Sequence, residues 1–365
     1  MDASKSEAGL FRRTTTLSDA PTAMSLGRFS ARTLATSSSS SSTTASIGAF
    51  VKAALERDDA TANDIAVVAP DAANAASSKM TYGELAERAN AFAAAMEELG
   101  YDASSKPLGA RVRNGPEALV AYLGTALRGA RAKTCKTRED VREVFGNGAT
   151  RGTLVEFADA DVAGEILGAH EPIAVYGGGM RDKVIMWEVL HAAYRGRAPR
   201  EDAEPGEEIP DAEYFFNSDK PTPGNALVRA AMAASDALRI ARGDSVCVPV
   251  PLAHAMGLGF GALAALGSGA RLVLPPTLGS AADGDAARDA MCAATLDVLR
   301  SEKCTLVVAD SHVVRAARDR GALIDGYEAL RGGLTKVGSG DAIGAAPAVP
   351  FLGVDLLTVG APKKT

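Results

Sequence analysis

The sequence predicts an α/β fold of mainly parallel sheets covered by helices. Apolar runs of four or five residues, the length of a buried strand, alternate with longer segments of helical spacing. Hydrophobic residues make up 47% and charged residues 23%, an ordinary globular balance that excludes disorder throughout. At 365 residues there is room for two domains, or one large α/β domain with a tail.

Each element has its own signal. Ile65-Ala66-Val67-Val68 reads as the first strand. Met80 to Leu99 carries apolar residues at helical spacing, with Thr81 as N-cap, Glu84 three residues on, and Gly100 as the stop. Arg111-Val112-Arg113 is a short strand, and Pro116 opens a helix that runs to Gly129. Leu154 to Phe157 and Ile173 to Tyr176 are further strands, and Val184 to Ala193 a helix. Pro199 to Asp211, rich in proline and acids, reads as a surface connection. Helices follow at 225–241, 258–266, 286–300 and 313–320, with strands at 245–250, 271–274 and 305–308.

The first fifty residues differ in kind. They hold five cations and three acids, whereas the whole chain has 39 cations, 45 acids and a net charge of −6. From Met24 to Phe50 there are two arginines, Arg28 and Arg32, many Ser and Thr, and no acid. That composition is expected of a transit peptide, mitochondrial first and chloroplast as the alternative, or of a Ser-rich tail without an address. Residues 1–49 are therefore set outside the fold, 50–345 form the large domain, and 346–365 a tail.

Overall acidity argues against nucleic acid as a partner, and no apolar run is long enough to span a membrane. Cys135, Cys247, Cys292 and Cys304 lie far apart, read as reduced thiols, and make no zinc pattern. Gly177-Gly178-Gly179 suggests a phosphate-binding turn, but Asp182 stands where a dinucleotide fingerprint needs glycine, so a plain turn is the competing reading. His170 and His191 read as surface histidines. Asp310, Ser311 and His312 follow a strand and are either site-lining residues or a helix N-cap. Asp58-Asp59 and Glu207-Glu208 read as solvated loop acids.

Five segments in order resemble the adenylate-forming superfamily, which includes acyl-CoA synthetases. Met80-Thr81-Tyr82-Gly83-Glu84-Leu85 with Arg88-Ala89-Asn90 is similar to that family's opening helix. Arg113-Asn114-Gly115-Pro116-Glu117 through Ala130 is similar to its second helix, and Tyr214 to Ser218 falls where its phosphate loop begins. Pro251-Leu252-Ala253-His254-Ala255-Met256-Gly257 resembles the Pro-Leu-Phe-His-x-x-Gly motif, and 267–274 with 304–308 resemble two of its strands. The resemblance implies the large N-terminal domain of an acyl-CoA synthetase. It places Ser218, Lys220, Gly224 and His254 at nucleotide and acyl pocket positions.

The departures shape the functional expectation. The family's loop reads Thr-Ser-Gly-Thr-Thr-Gly-x-Pro-Lys-Gly, whereas Ser218 is followed by Asp219-Lys220-Pro221-Thr222-Pro223-Gly224-Asn225. Both turn glycines and the lysine are replaced, and each proline removes a backbone donor. Asp219 beside a phosphate at about 4 Å would repel it by about 4 kcal/mol at an effective dielectric near 20. The family's small C-terminal domain, with its catalytic lysine, has no counterpart among these residues. The expectation is a catalytically inactive scaffold, without cofactor, serving as a structural or binding subunit beside other proteins in a mitochondrial assembly. The alternative is an ATP-dependent acid–thiol ligase, or a truncated form of one, using ATP and CoA.

Overall fold

The computed structural model describes residues 45–361 apart from 57, 71–77, 136–140, 147, 157–158, 168–172, 176–183, 200–207, 217, 276–284 and 320–324. The expectations for 1–44, His170, Gly177-Gly178-Gly179 and Asp182 lie outside the described residues.

Helix α1 (Ile47–Leu55) buries Ile47 and Val51, and Ser46 caps it by accepting the Ala49 N–H at 3.3 Å. The fold therefore starts ahead of position 50, a correction to the sequence boundary. Helix α2 (Asp59–Ala62), β1 (Ile65–Val68) and β2 (Lys79–Thr81) lead into α3 (Tyr82–Glu98). The capping box forms as the sequence predicts: Thr81 N–H donates to Glu84 Oε2 at 2.8 Å, and Glu84 N–H to Thr81 Oγ1 at 3.2 Å. Asp58 caps α2 through Thr61 N–H at 3.0 Å, so it does more than sit in solvent.

Strand β3 (Leu108–Arg111) begins earlier than the Arg-Val-Arg run and stops before Val112. Helix α4 (Pro116–Arg128) has Pro116 in its first turn and ends on Gly129 at φ 66°. Strand β4 (Arg131–Thr134), α5 (Val141–Phe145), β5 (Gly152–Glu156), α6 (Ala160–Leu167), β6 (Ile173–Val175), β7 (Ile185–Met186) and α7 (Trp187–Tyr194) complete the first half. The second half has β8 (Glu213–Phe216), β9 (Thr222–Pro223), α8 (Gly224–Leu238) and β10 (Ser245–Cys247). A π-helical segment, Met256–Leu263, runs into α9 (Ala264–Gly267) where an ordinary helix was expected. Then come β11 (Arg271–Val273), α10 (Asp285–Ser301), β12 (Leu306–Ala309), α11 (Ser311–Asp319), β13 (Gly332–Lys336), β14 (Ser339–Ile343), β15 (Val349–Phe351) and β16 (Val354–Ala361).

The strands form two sheets. The larger runs β14-β16-β13-β12-β10-β11-β1-β2, with β15 also on β16, and the smaller runs β7-β6-β5-β3-β4-β8-β9. Pairing is parallel through the interiors of both and antiparallel only toward their edges. The predicted fold class is the observed one. One boundary fails: 349–361 are not a tail, because β16 is hydrogen-bonded between β13 and β14, and Thr358 Oγ1 donates to Ala346 O at 2.7 Å.

Every residue of α4 from Pro116 to Leu127 is buried, the pattern of a helix covered on all sides. It lies against α3 so closely that a Cβ on Gly124 would stand 2.8 Å from Phe92. Two tyrosines pin the core through their hydroxyls, Tyr82 to Ala270 O at 2.8 Å and Tyr214 to Tyr122 O at 2.9 Å. Deep in the smaller sheet Arg111 pairs with Asp159, which is fully buried. Nearby, Arg113 Nη2 meets Glu156 Oε2 at 3.0 Å.

Candidate functional site

Parallel strands aim their carboxyl ends at one edge of a sheet, and ligands of open α/β sheets bind there. Two loops leave such ends here, one after β8 and one after β10. Thr134, the last residue of β4, puts its hydroxyl within 3.3 Å of Phe215 O and 3.2 Å of Ala253 O. The first loop and the His254 turn are thereby tied to one residue.

The first loop is a tight hairpin. Strand β9 folds back antiparallel on β8, with Tyr214 opposite Thr222 and Glu213 opposite Pro223. Within the bend Lys220 N–H donates to Ser218 Oγ at 3.0 Å, so the Ser218 oxygen already holds a backbone donor. Lys220 is exposed and makes no ion pair among the described residues. Asp219 does, with Lys133 Nζ on β4 at 2.9 Å; the lysine side chain is 12% exposed and the carboxylate 96%. The cation aimed into this loop already has a carboxylate partner.

Gly224 starts α8 and is required there, since a Cβ would approach Ile47 Cγ2 to 2.3 Å and Asp211 Oδ1 to 2.7 Å. Its N–H goes to Ala212 O at 2.7 Å. The next donor, Asn225 N–H, goes to Asp211 Oδ2 at 2.9 Å, while Asp211 Oδ1 accepts the Ile47 N–H at 3.0 Å. One carboxylate thus caps both α8 and α1. A helix N-terminus attracts anions, and here the anion is built in. The Asn225 N–H and the Lys133 ammonium are thus both engaged by the chain's own carboxylates.

The second loop is fixed by Asn114, 8% exposed. Its Nδ2 donates to Val248 O at 3.1 Å and lies 3.5 Å from Val250 O, and its Oδ1 accepts the Leu252 N–H at 2.9 Å. This clamp joins the smaller sheet to the loop of the larger one. Gly257 closes the turn because a Cβ would come within 2.2 Å of Pro251 O. His254 stands in the turn between β10 and the π-helical segment and is exposed. Its Nδ1 accepts the Met256 N–H at 3.1 Å, so a capping role accounts for that nitrogen.

The other candidates resolve differently. Asp310 Oδ1 accepts the N–H groups of His312 and Val313 at 2.9 and 3.0 Å, which makes it the N-cap of α11. The four cysteines are buried and none is in a disulfide. Among the described residues no cluster of His, Cys, Asp or Glu is able to hold a metal. Asp211 and Lys133 escaped the sequence reading because their partners lie far away in the chain and no local pattern marks them. Asn114 was legible only as a member of a motif.

His191 is not a surface histidine. It is 9% exposed, edge-on to Trp187 with ring centroids 4.4 Å apart. Burial, and then the Arg88 guanidinium, pushes its pKa down from 6.5 to about 4. The unfolded chain takes up a proton below pH 6.5 and the native chain only near pH 4. Stability is therefore expected to fall as pH drops from 6.5 to 4, and to level off below, by about 3 kcal/mol at most. The charged groups sharing its surroundings are Glu84, Glu87 and Arg88 on α3, with Glu188 and Arg195 from the α7 segment. Urea unfolding across that range should show the slope in the native protein and a flatter profile in His191→Gln.

Residues 55–144 match the family described as AMP-binding enzyme. No curated protein matches the chain. Benzoate CoA ligase from Burkholderia xenovorans LB400 shares the fold with a TM-score of 0.64 at 18% identity, over 87% of this chain and 61% of that one. The anthranilate CoA ligase AuaEII, solved with anthranoyl-AMP, gives 0.61 at 16% identity, over 85% and 58%. The N-terminal domain of FACL13 from Mycobacterium tuberculosis gives 0.59 at 14% identity, over 86% and 75%. The chain spans less than two thirds of the length of either CoA ligase. At these identities the likeness is one of fold.

Proposed function

From a chain that has the N-terminal-domain fold of adenylate-forming ligases and matches AMP-binding enzymes over residues 55–144, we propose that the adenylating activity has been lost and the scaffold kept. In this reading it is an acyl-CoA synthetase-like structural or binding subunit, working beside other proteins in a mitochondrial assembly and requiring neither ATP nor CoA.

The observation that carries the reading is the hairpin at 218–224. Lys133 is held by Asp219, the α8 N-terminus is held by Asp211, and Pro221 and Pro223 have no N–H to give. A hydrogen bond to a charged group is worth roughly 1.5–3 kcal/mol, so three lost donors weaken phosphate binding by about 10³-fold or more. The mitochondrial limb is supported by the basic, hydroxyl-rich, acid-free run that follows Met24.

The alternative is an ATP-dependent acid–thiol ligase, or a truncated form of one, and one assay separates the two. The full chain is incubated with ATP, CoA and a panel of fatty acids, and pyrophosphate release is followed. The expected result is no acid-dependent release above a heat-killed control; acid-dependent turnover overturns the proposal in favour of the ligase. Native sizing of mitochondrial extract tests the assembly limb, where migration as a free chain counts against it.

A further inference from the structure

Among the described residues two lysines are partly buried, Lys133 and Lys336. Both stand near the carboxyl ends of parallel strands, the edge at which α/β sheets meet their ligands. Their partners differ. Lys133 has the Asp219 carboxylate at 2.9 Å. Lys336, the last residue of β13, makes no ion pair among the described residues, and its Nζ donates to a backbone carbonyl, Gly340 O.

The elements around β13 leave that amine without a close counter-charge. On the β16 side Lys336 lies opposite Val359. On the β12 side Asp310 falls one residue past the Ala309–Thr335 pair, and its Oδ1 is taken by the N–H groups of His312 and Val313. The charge that acts on Lys336 is Asp341 of β14, from an exposed position. Burial pushes the Lys336 pKa below the ordinary lysine value, and Asp341 offsets only part of that. More of this amine is therefore neutral, which is the nucleophilic form, and part of its side chain remains in solvent.

We propose that Lys336 is a site of acylation by acyl thioesters. The ammonium first gives one proton to water. The nitrogen lone pair then attacks the thioester carbonyl carbon, a C–N bond forms and the C–S bond breaks. A second proton leaves the nitrogen for the departing thiolate, so the products are an amide and a free thiol, and nothing is oxidised or reduced. The product suits its surroundings: the amide keeps one N–H for Gly340 O and no longer carries a charge. No step uses ATP or the loops at 218–224 and 248–257, so the proposal stands whether or not the chain adenylates.

The test incubates the full chain with S-acetyl-N-acetylcysteamine, a small thioester without a nucleotide, and follows each lysine by peptide mass spectrometry. Lys336 is expected to acetylate several-fold faster than the exposed Lys220 and Lys303. Asp341→Asn removes the carboxylate that favours the ammonium, so it should speed Lys336 further and leave Lys220 and Lys303 unchanged. Equal rates at the three lysines, or an Asp341→Asn variant in which Lys336 reacts no faster, overturns the proposal.

Discussion

Replacing Asp159 with alanine is expected to cost about 3–5 kcal/mol of stability, the largest loss from any single substitution considered for this chain. Asp159 is fully buried and its partner Arg111 is 6% exposed. The guanidinium stays charged at every accessible pH, so removing the carboxylate takes a buried counter-charge from beside it. The neighbouring Glu156 is already committed to Arg113, through both the side chain at 3.0 Å and the backbone N–H at 3.1 Å. It is not at liberty to substitute. Urea unfolding of Asp159→Ala should show the loss, whereas the apolar pair Arg111→Met with Asp159→Leu should recover most of it, since a buried ion pair adds little over good packing. If the single variant is as stable as the native chain, the pair carries no weight in the fold.

The second large effect is expected at Asn114. Leucine has a similar shape but neither donor nor acceptor, so Asn114→Leu leaves Val248 O and the Leu252 N–H without their amide partner in a dry site. At about 1–3 kcal/mol per stranded group, the two together give a loss of roughly 2 kcal/mol or more. The damage should be local as well as global: amide exchange at Leu252 should accelerate far more than at Leu306 in the strand interior. Uniform acceleration across both would mean that the clamp does not position the loop.

Element order was largely legible because most interior strands are dense in Val, Leu and Ile and the helices carry their own caps. Thr81 with Glu84 and Pro116 with Gly129 mark their helix ends within a few residues, and the structure agrees. The missed strands fail the same test. Strand β13 reads Gly332-Gly333-Leu334-Thr335-Lys336, a turn by composition, yet Gly333 is there because a Cβ would sit 2.1 Å from Val307 O. Strand β14 is mostly exposed and has no apolar period, so only its pairing with β16 defines it. The candidate site was half legible. The losses in the loop were visible as residues, but the carboxylates that fill the gaps were not, because Asp211 and Lys133 act on partners 14, 86 and 164 positions away.

Strand β1 takes its place in the larger sheet by pairing Val67 with Leu272 and Val68 with Val273. On a ribosome adding about 5–20 residues per second, the roughly 200 residues between those partners take about 10–40 s to appear. Through that interval β1 has only β2 beside it, and its other edge displays Ala66, Val67 and Val68, all buried in the finished protein. An apolar edge left open for tens of seconds is a template for pairing with another chain. The expected consequence is that the yield of folded protein rises when chaperone is added during synthesis while the stability of the folded state stays the same.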